Sequence, residues 1–343
     1  MTRKRLKVLV LMHEDLVPPL DLTGLSDKQL ADFRTEIDVI AALEELGHEV
    51  VKLGVGSDLG PIRQAFADLE PDVAFNLLVH FHGVAVYDQH VVSYLELLRK
   101  RYTGCNPRGM MLSRDKVLSK QILAYHRIPT PQFALFRRGR SYRLSNKLTY
   151  PLFVKSATED ASLGISQASI VEDRARLKER IDFIHEHTRT DALVEEYIEG
   201  RELYVAVDGN ERLTTYPVWE MDFGTLPDVM AGIATRKVKW DRKYQQKHGI
   251  RTGKAADLSP ATEEQLSRYS KRIYRSLHLS GYARMDFRLR PDGRMYLLEA
   301  NCNPNLSQGE DFAAAAGNSG VTYESLLERL MRLGLGYEVE WRE

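Results

Sequence analysis

Residues 283–304 read ARMDFRLRPDGRMYLLEANCNP. Ala283, Met285, Phe287 and Leu289 alternate with Arg284, Asp286 and Arg288, and this period of two predicts a strand with its charged side chains on one face. The RPDGR stretch carries an Asp-Gly pair, which favours a tight hairpin turn, and MYLLEAN returns as the second strand. A turn centred between Asp292 and Gly293 places residue 286 opposite 299 and residue 284 opposite 301. Asp286 and Glu299 then stand roughly 5 Å apart on one face, where two like charges destabilise a sheet unless something positive lies between them.

Arg284 and Asn301 add a cation and a neutral oxygen to that face. Oxygens from Asp286, Glu299 and Asn301 suit a hard cation such as magnesium, which completes its octahedron with water and substrate phosphates. The competing reading is a solvated hairpin face whose acids pair with neighbouring arginines, because exposed polar strand faces are common. Two further stretches bear on phosphate. Lys155 ends the apolar run YPLFVK and precedes a small-residue loop, SATEDASLGIS, that contains Ser162. A lysine at a strand mouth followed by such a loop can hold phosphates by point charge and backbone N–H groups. EEYIEGRE, residues 195–202, sets Glu195, Glu196, Glu199 and Glu202 around Ile198 and a glycine. It reads as an exposed charged surface or as a crossover offering backbone groups to a base edge and a carboxylate to ribose hydroxyls.

RLKVLVLM (5–12), HEVVKLGV and DVAFNLL read as strands, separated by an amphipathic helix over 27–46 and a short helix at PIRQAFADLE. Alternating strands and helices predict a parallel sheet in a first domain of residues 1–105. A central region of 106–192 and a third of 193–343 follow. GVGSDLG (54–60) has the spacing G-x-G-x-x-x-G and comes after the second strand, so an ordinary turn fits better than a dinucleotide loop. HFH (80–82) with His90 has no carboxylate or thiolate at a familiar metal spacing and reads as a loop.

Lys+Arg and Asp+Glu both number 48, so no field of one sign favours nucleic acid or an anionic membrane. No run approaches the ~20 apolar residues that span a bilayer, and the apolar start VLVLM is too short for a signal peptide. Two distant cysteines, Cys105 and Cys302, suit a reducing compartment. The expected location is the cytoplasm.

In order, these motifs resemble the ATP-grasp superfamily and, within it, the D-alanine:D-alanine ligase branch. HGVAVYDQHVVSYLE and YTG (82–104) are similar to its first substrate motif, SRDKVLSK to its S-x-D-K-x-x-x-K helix and VEEYIEGRE to its nucleotide crossover. KWDRKY (239–244) resembles its mobile loop, and ARMDF with LEANCNP its magnesium hairpin. The resemblance implies three α/β domains with ATP between the second and third. It implies that Lys116, Lys155 and Ser162 meet the phosphates, that Glu195, Glu196 and Ile198 meet the adenine, and that Glu202 holds the ribose. Asp286, Glu299 and Asn301 would bind two magnesium ions, with manganese a substitute. Lys243 would reach the terminal phosphate and Arg284 the developing oxyanion. The implied activity joins a small-molecule carboxylate to an amine through an acyl phosphate, with ADP released. A homodimer is compatible with this reading.

Substrate motifs depart from the family. The first strand runs into LMHEDLVPP rather than a Gly-rich turn with Ser-x-Glu, leaving Glu14 as the substitute. Tyr87 replaces a glutamate, and Asn305 replaces the glycine after Pro304. His82, Tyr87, Tyr244, Asn303, Asn305 and Ser307 are therefore the candidates for substrate contact beside Glu14. The reading is an ADP-forming acid–amine ligase on an amino acid or small peptide other than two D-alanines. A D-alanine:D-alanine ligase and a non-ligating ATP-binding regulatory module are the alternatives. Cys302 reads as a buried small hydrophobe rather than a nucleophile.

Overall fold

The computed structural model describes residues 4–141, 148–158, 165–226, 233, 235, 238, 239 and 241–339. Strands β1 (Lys7–His13), β2 (Glu49–Val55) and β3 (Val73–Asn76) form a parallel sheet in the order β2-β1-β3. Val8 to Met12 are fully buried, as a strand covered on both faces must be. The helix expected over 27–46 is two helices, α1 (Asp27–Asp32) and α2 (Arg34–Glu45). Phe33, at φ −102° and ψ 9°, is the C-cap of one and the N-cap of the other. Val39, Ile40 and Leu43 on α2 pack onto the sheet. Gly54 and Gly56 make room for the turn that follows β1, since a Cβ on Gly56 would overlap the Glu14 carboxylate. The short helix α3 (Gly60–Asp68) then begins. The glycines thus serve a turn, as their spacing indicated.

The second sheet is antiparallel, with β4 (Phe133–Phe136), β5 (Leu152–Ser156), β6 (Ile170–Val171) and β7 (Ala192–Glu196) in the order β4-β7-β5-β6. Helix α4 (Arg174–His187) covers it through Leu177, Ile181 and Ile184. Because β7 pairs with both β4 and β5, this sheet runs past the boundary drawn at 192/193.

The third sheet joins β8 (Arg201–Asp208), β9 (Thr214–Thr215), β10 (Trp219–Asp222), β11 (Arg251–Lys254), β12 (Tyr282–Leu289) and β13 (Met295–Asn301). Its order is β11-β10-β8-β12-β13, with β9 beside β8. One face, with Leu203, Val205, Val207, Ala283, Met285 and Phe287, shares a core with Leu266 and Ile273 of helix α5 (Pro260–Ser276). The opposite face carries the charged residues. Helix α6 (Tyr323–Leu335) returns to the first sheet, where Leu326, Leu327, Leu330 and Met331 join Val8, Val10, Val73 and Phe75. Each such side chain contributes about 1.5–3 kcal/mol when fully buried, so the chain's last helix belongs energetically to its first sheet. No helix among the described residues is long and apolar enough to cross a membrane.

The hairpin reaches the expected register by a different route. Leu289 pairs with Met295, and Arg290 and Gly293 close the turn with Gly293 at φ 82°. The loop is therefore Pro291-Asp292-Gly293, one residue longer than a two-residue turn. Phe287 pairs with Leu297, yet Asp286 pairs with Glu299 and Arg284 with Asn301. Leu298 is the additional residue of a β-bulge. Without it, Asp286 would face position 298.

The start of β12 is pinned by the segment around residues 104–106. Asn106 N and Nδ2 donate to Ser280 Oγ at 2.9 and 3.0 Å, and Nδ2 also donates to the His278 carbonyl at 2.8 Å. Gly281 has φ +67°, and a Cβ there would overlap the Gly104 carbonyl. Gly281→Ala should cost about 3 kcal/mol or more, from left-handed strain plus a backbone clash. An unchanged denaturant midpoint would contradict that packing. Glu36, on the buried stripe of α2, has its carboxyl pushed up to about 7 by burial. A carboxyl that holds its proton more tightly in the folded chain stabilises below its unfolded pKa of 4.5, and that stability is lost as pH rises towards 7. Glu36→Gln should therefore flatten the fall in melting temperature between pH 5 and pH 8, which thermal unfolding at both values would reveal.

Candidate active site

The charged face of the third sheet follows from strand alternation. Glu202 and Tyr204 on β8 pair with Arg288 and Asp286 on β12, so these four side chains share one face with Arg284, Glu299 and Asn301. Asp286 is 2% exposed and is gripped by Arg284, with Nε 2.8 Å from Oδ1 and Nη2 2.8 Å from Oδ2. Arg284 Nη1 lies 3.4 Å from Asp311 Oδ2, and the guanidinium sits 4.6 Å from the centroid of the Tyr204 ring. The arginine expected to face an oxyanion is thus turned onto two carboxylates. Burial pushes the Asp286 carboxyl up and the charge of Glu299 adds to this, against the pull of Arg284. Glu299 is more open, with 30% of its side chain accessible and Lys116 Nζ 3.9 Å away. Burial raises its pKa too, but Lys116, Lys155, Lys239 and Arg284 overcome this and hold it at about 2.

The lysines come from a helix and a neighbouring strand. The helix Lys116–Tyr125 is begun by Asp115, whose side chain accepts from Val117 N and Leu118 N. Lys116 N donates to the Ala157 carbonyl just beyond β5. Lys120, one turn later, lies 2.8 Å from Glu195 Oε1, and Lys155 Nζ lies 3.1 Å from Glu195 Oε2. Burial pushes the Glu195 carboxyl up, but these two ammoniums more than offset it and the net shift is downward. Glu195, expected at the adenine, therefore has its carboxylate on the two lysines. The next backbone N–H groups, of Glu196 and Tyr197, donate to the Gln132 and Pro151 carbonyls. Ile198 is buried beside them. Glu202 is fixed by Tyr204 Oη at 2.7 Å and Arg288 Nη2 at 2.6 Å.

Other expected residues lie around this centre. Asn301 Oδ1 accepts from Asn303 N at 3.0 Å, and Asn303 Nδ2 donates to the Leu78 carbonyl at 2.9 Å, which ties the hairpin exit to the first domain. Asn305 Oδ1 accepts from Ser307 N, Ser307 Oγ and Thr35 Oγ1, so Asn305 and Ser307 are bonded to each other and to α2. Glu14 is exposed against Gly56, while His82 and Tyr87 are exposed on the loop after β3. Lys243 is exposed on the helix Arg242–His248, and Tyr244 packs 4.5 Å from the His248 ring. From the same segment, Lys239 is the lysine that acts on both acids. Ser162 lies outside the described residues. Cys302 is buried, and the hydrogen bond from the Cys105 thiol pulls its own thiol pKa down against burial.

Sequence reasoning missed Lys120, Tyr204, Asp311 and Lys239 as parts of the site. Lys120 was visible as the second lysine of SRDKVLSK, four residues after Lys116 and hence on the same helix face. Asp311 carries no local signal. Among the described residues no three His, Cys, Asp or Glu side chains are placed to hold a metal, HFH included. The hairpin instead offers two carboxylates and an amide oxygen. That donor set fits a hard divalent cation, because a buried acid raised by its neighbour's charge is stabilised by added positive charge there.

The family model described as D-ala D-ala ligase C-terminus matches residues 122–332. The D-alanine–D-alanine ligase of Desulforudis audaxviator is 30% identical over 318 residues, covering 90% of this chain and 95% of its own. The uncharacterised protein y4sG of Sinorhizobium fredii is 32% identical over 298 residues, covering 85% of each. The solved D-alanine–D-alanine ligase of Bacillus anthracis complexed with ATP shares 22% identity and the fold, with a TM-score of 0.74 over 96% of this chain and 97% of that one. With its three sheets and its bulged acid hairpin, the chain belongs to the D-alanine–D-alanine ligase family and has the ATP-grasp fold.

Proposed function

We propose that the protein is an ATP-dependent carboxylate–amine ligase that makes an amide or peptide bond through an acyl phosphate, on an amino acid or small peptide other than a pair of D-alanines. The observation that carries this reading is the convergence of Asp286, Glu299 and Asn301 with Lys116 and Lys155 from two sheets and a helix. A carboxylate is a poor acyl donor because oxide would have to leave, so transfer of the terminal phosphoryl group to it comes first. Lys116 and Lys155 bind the phosphate charge, and Glu195 orients Lys155. Glu202, held by Tyr204 and Arg288, would accept from ribose hydroxyls. Two magnesium ions, or manganese, held by Asp286, Glu299 and Asn301 would neutralise charge on the transferred group. Arg284 supplies a cation beside the acids for the oxyanion that forms when the amine attacks. Lys243 is the loop lysine that would reach the terminal phosphate, with Lys239 as a second cation from that segment.

The departure from D-alanine pairs is supported by the substrate side. Glu14 turns to Gly56, Tyr87 stands where a carboxylate is usual, and Asn305 and Ser307 are bonded to Thr35. A panel of acids and amines scored by ADP release and product mass tests the reading, with 18O in the acid expected to appear in the released phosphate. Efficient formation of D-alanyl-D-alanine would return the substrate to that of the named relatives. ADP release that never depends on an amine would favour a non-ligating module. Glu299→Gln should lower turnover by at least about 10²-fold while the melting temperature stays near that of the parent, and unaltered turnover would remove the cation assignment.

A further inference from the structure

Lys120 is 2% exposed, and its ammonium is matched from two different sheets. Glu195 Oε1 on β7 lies 2.8 Å away, and the carbonyl oxygen of Leu298 on β13 accepts from the same ammonium at 3.5 Å. Leu298 is the bulge residue, and a bulge disrupts the ladder where its extra residue sits. A buried ammonium is costly unless charge and donors are both satisfied, so the two contacts act together on one atom. The other oxygen of Glu195 holds Lys155. One lysine thus links the strand bearing the phosphate lysine's partner to the single irregular point of the acid hairpin.

We propose that Lys120 is a positioning residue, which sets the Asp286–Glu299 pair relative to Lys155 by holding the Glu195 carboxylate and the Leu298 carbonyl on one ammonium. This rests on the reading of those acids as a cation site in a nucleotide-using ligase. Lys120 is beyond ion-pair distance of both acids and acts on Glu299 at longer range by charge, while its hydrogen bond to the hairpin is to the backbone next to Glu299. If it served only to neutralise Glu195, removing both charges would leave the acid pair undisturbed.

Isothermal titration of the full chain with ADP, with and without magnesium, separates these roles without requiring turnover. Glu195→Gln alone should keep most of the gain in ADP affinity that magnesium brings. The double variant Lys120→Met/Glu195→Gln is charge-balanced and close in volume, so it should fold, and it should lose roughly 10-fold or more of that gain, as outer partners of metal ligands do. Lys120→Arg, which retains a cation able to reach both oxygens, should recover part of it. A double variant with the same magnesium-dependent gain as Glu195→Gln overturns the proposal. A parent chain whose ADP affinity is indifferent to magnesium would instead remove the cation-site reading, and this inference with it.

Discussion

One unpaired residue in a two-stranded ladder decides which side chains face each other across the charged hairpin. Strand pairing is periodic in two, so a shift of one position sends a side chain to the opposite face. The turn after β12 would place Asp286 opposite Leu298, and the bulge at Leu298 places it opposite Glu299. At the same irregularity the Leu298 carbonyl meets Lys120, and next to it Leu297 N donates to the Pro129 carbonyl at 2.9 Å. The facing of the two acids and the carbonyl contact with Lys120 therefore share one cause.

The charged face this creates is not a source of much stability. Buried ion pairs recover in attraction about what they lose in desolvation, so Arg284 with Asp286, and Lys120 and Lys155 with Glu195, contribute little net. Stability comes from the opposite face, where Leu203, Val205, Met285 and Phe287 pack on α5, and from α6 against the first sheet. What the buried charges supply is position. Removal of Glu195 takes the carboxylate from both Lys120 and Lys155, and removal of Arg284 takes the cation from both Asp286 and Asp311, so each shared group confines its partners to a narrow set of places.

The fold was legible where periodicity is local. Alternation marked β12, the Asp-Gly pair marked its turn, and the paired numbers 286 and 299 came out correctly. They did so through two departures that compensated, a longer loop and a bulge. Neither has a strong sequence signal, because Pro291-Asp292-Gly293 suits more than one turn and Leu298 is an ordinary strand residue. The break at Phe33 was similarly hidden, since the apolar spacing continues across it.

By itself the sequence determined which residue types were available on each face: acids and arginines on one side of the hairpin, apolar side chains on the other, lysines four apart on a helix, and a parallel sheet to begin. Those follow from the periods of strand and helix, which depend on neighbours in the chain. Tertiary structure alone decided which charges meet. Lys120 reaches Leu298 and Glu195, Thr35 closes on Asn305 and Ser307, and Arg284 turns to Asp311, because close packing of separate sheets, not spacing along the chain, brings these groups within bonding distance.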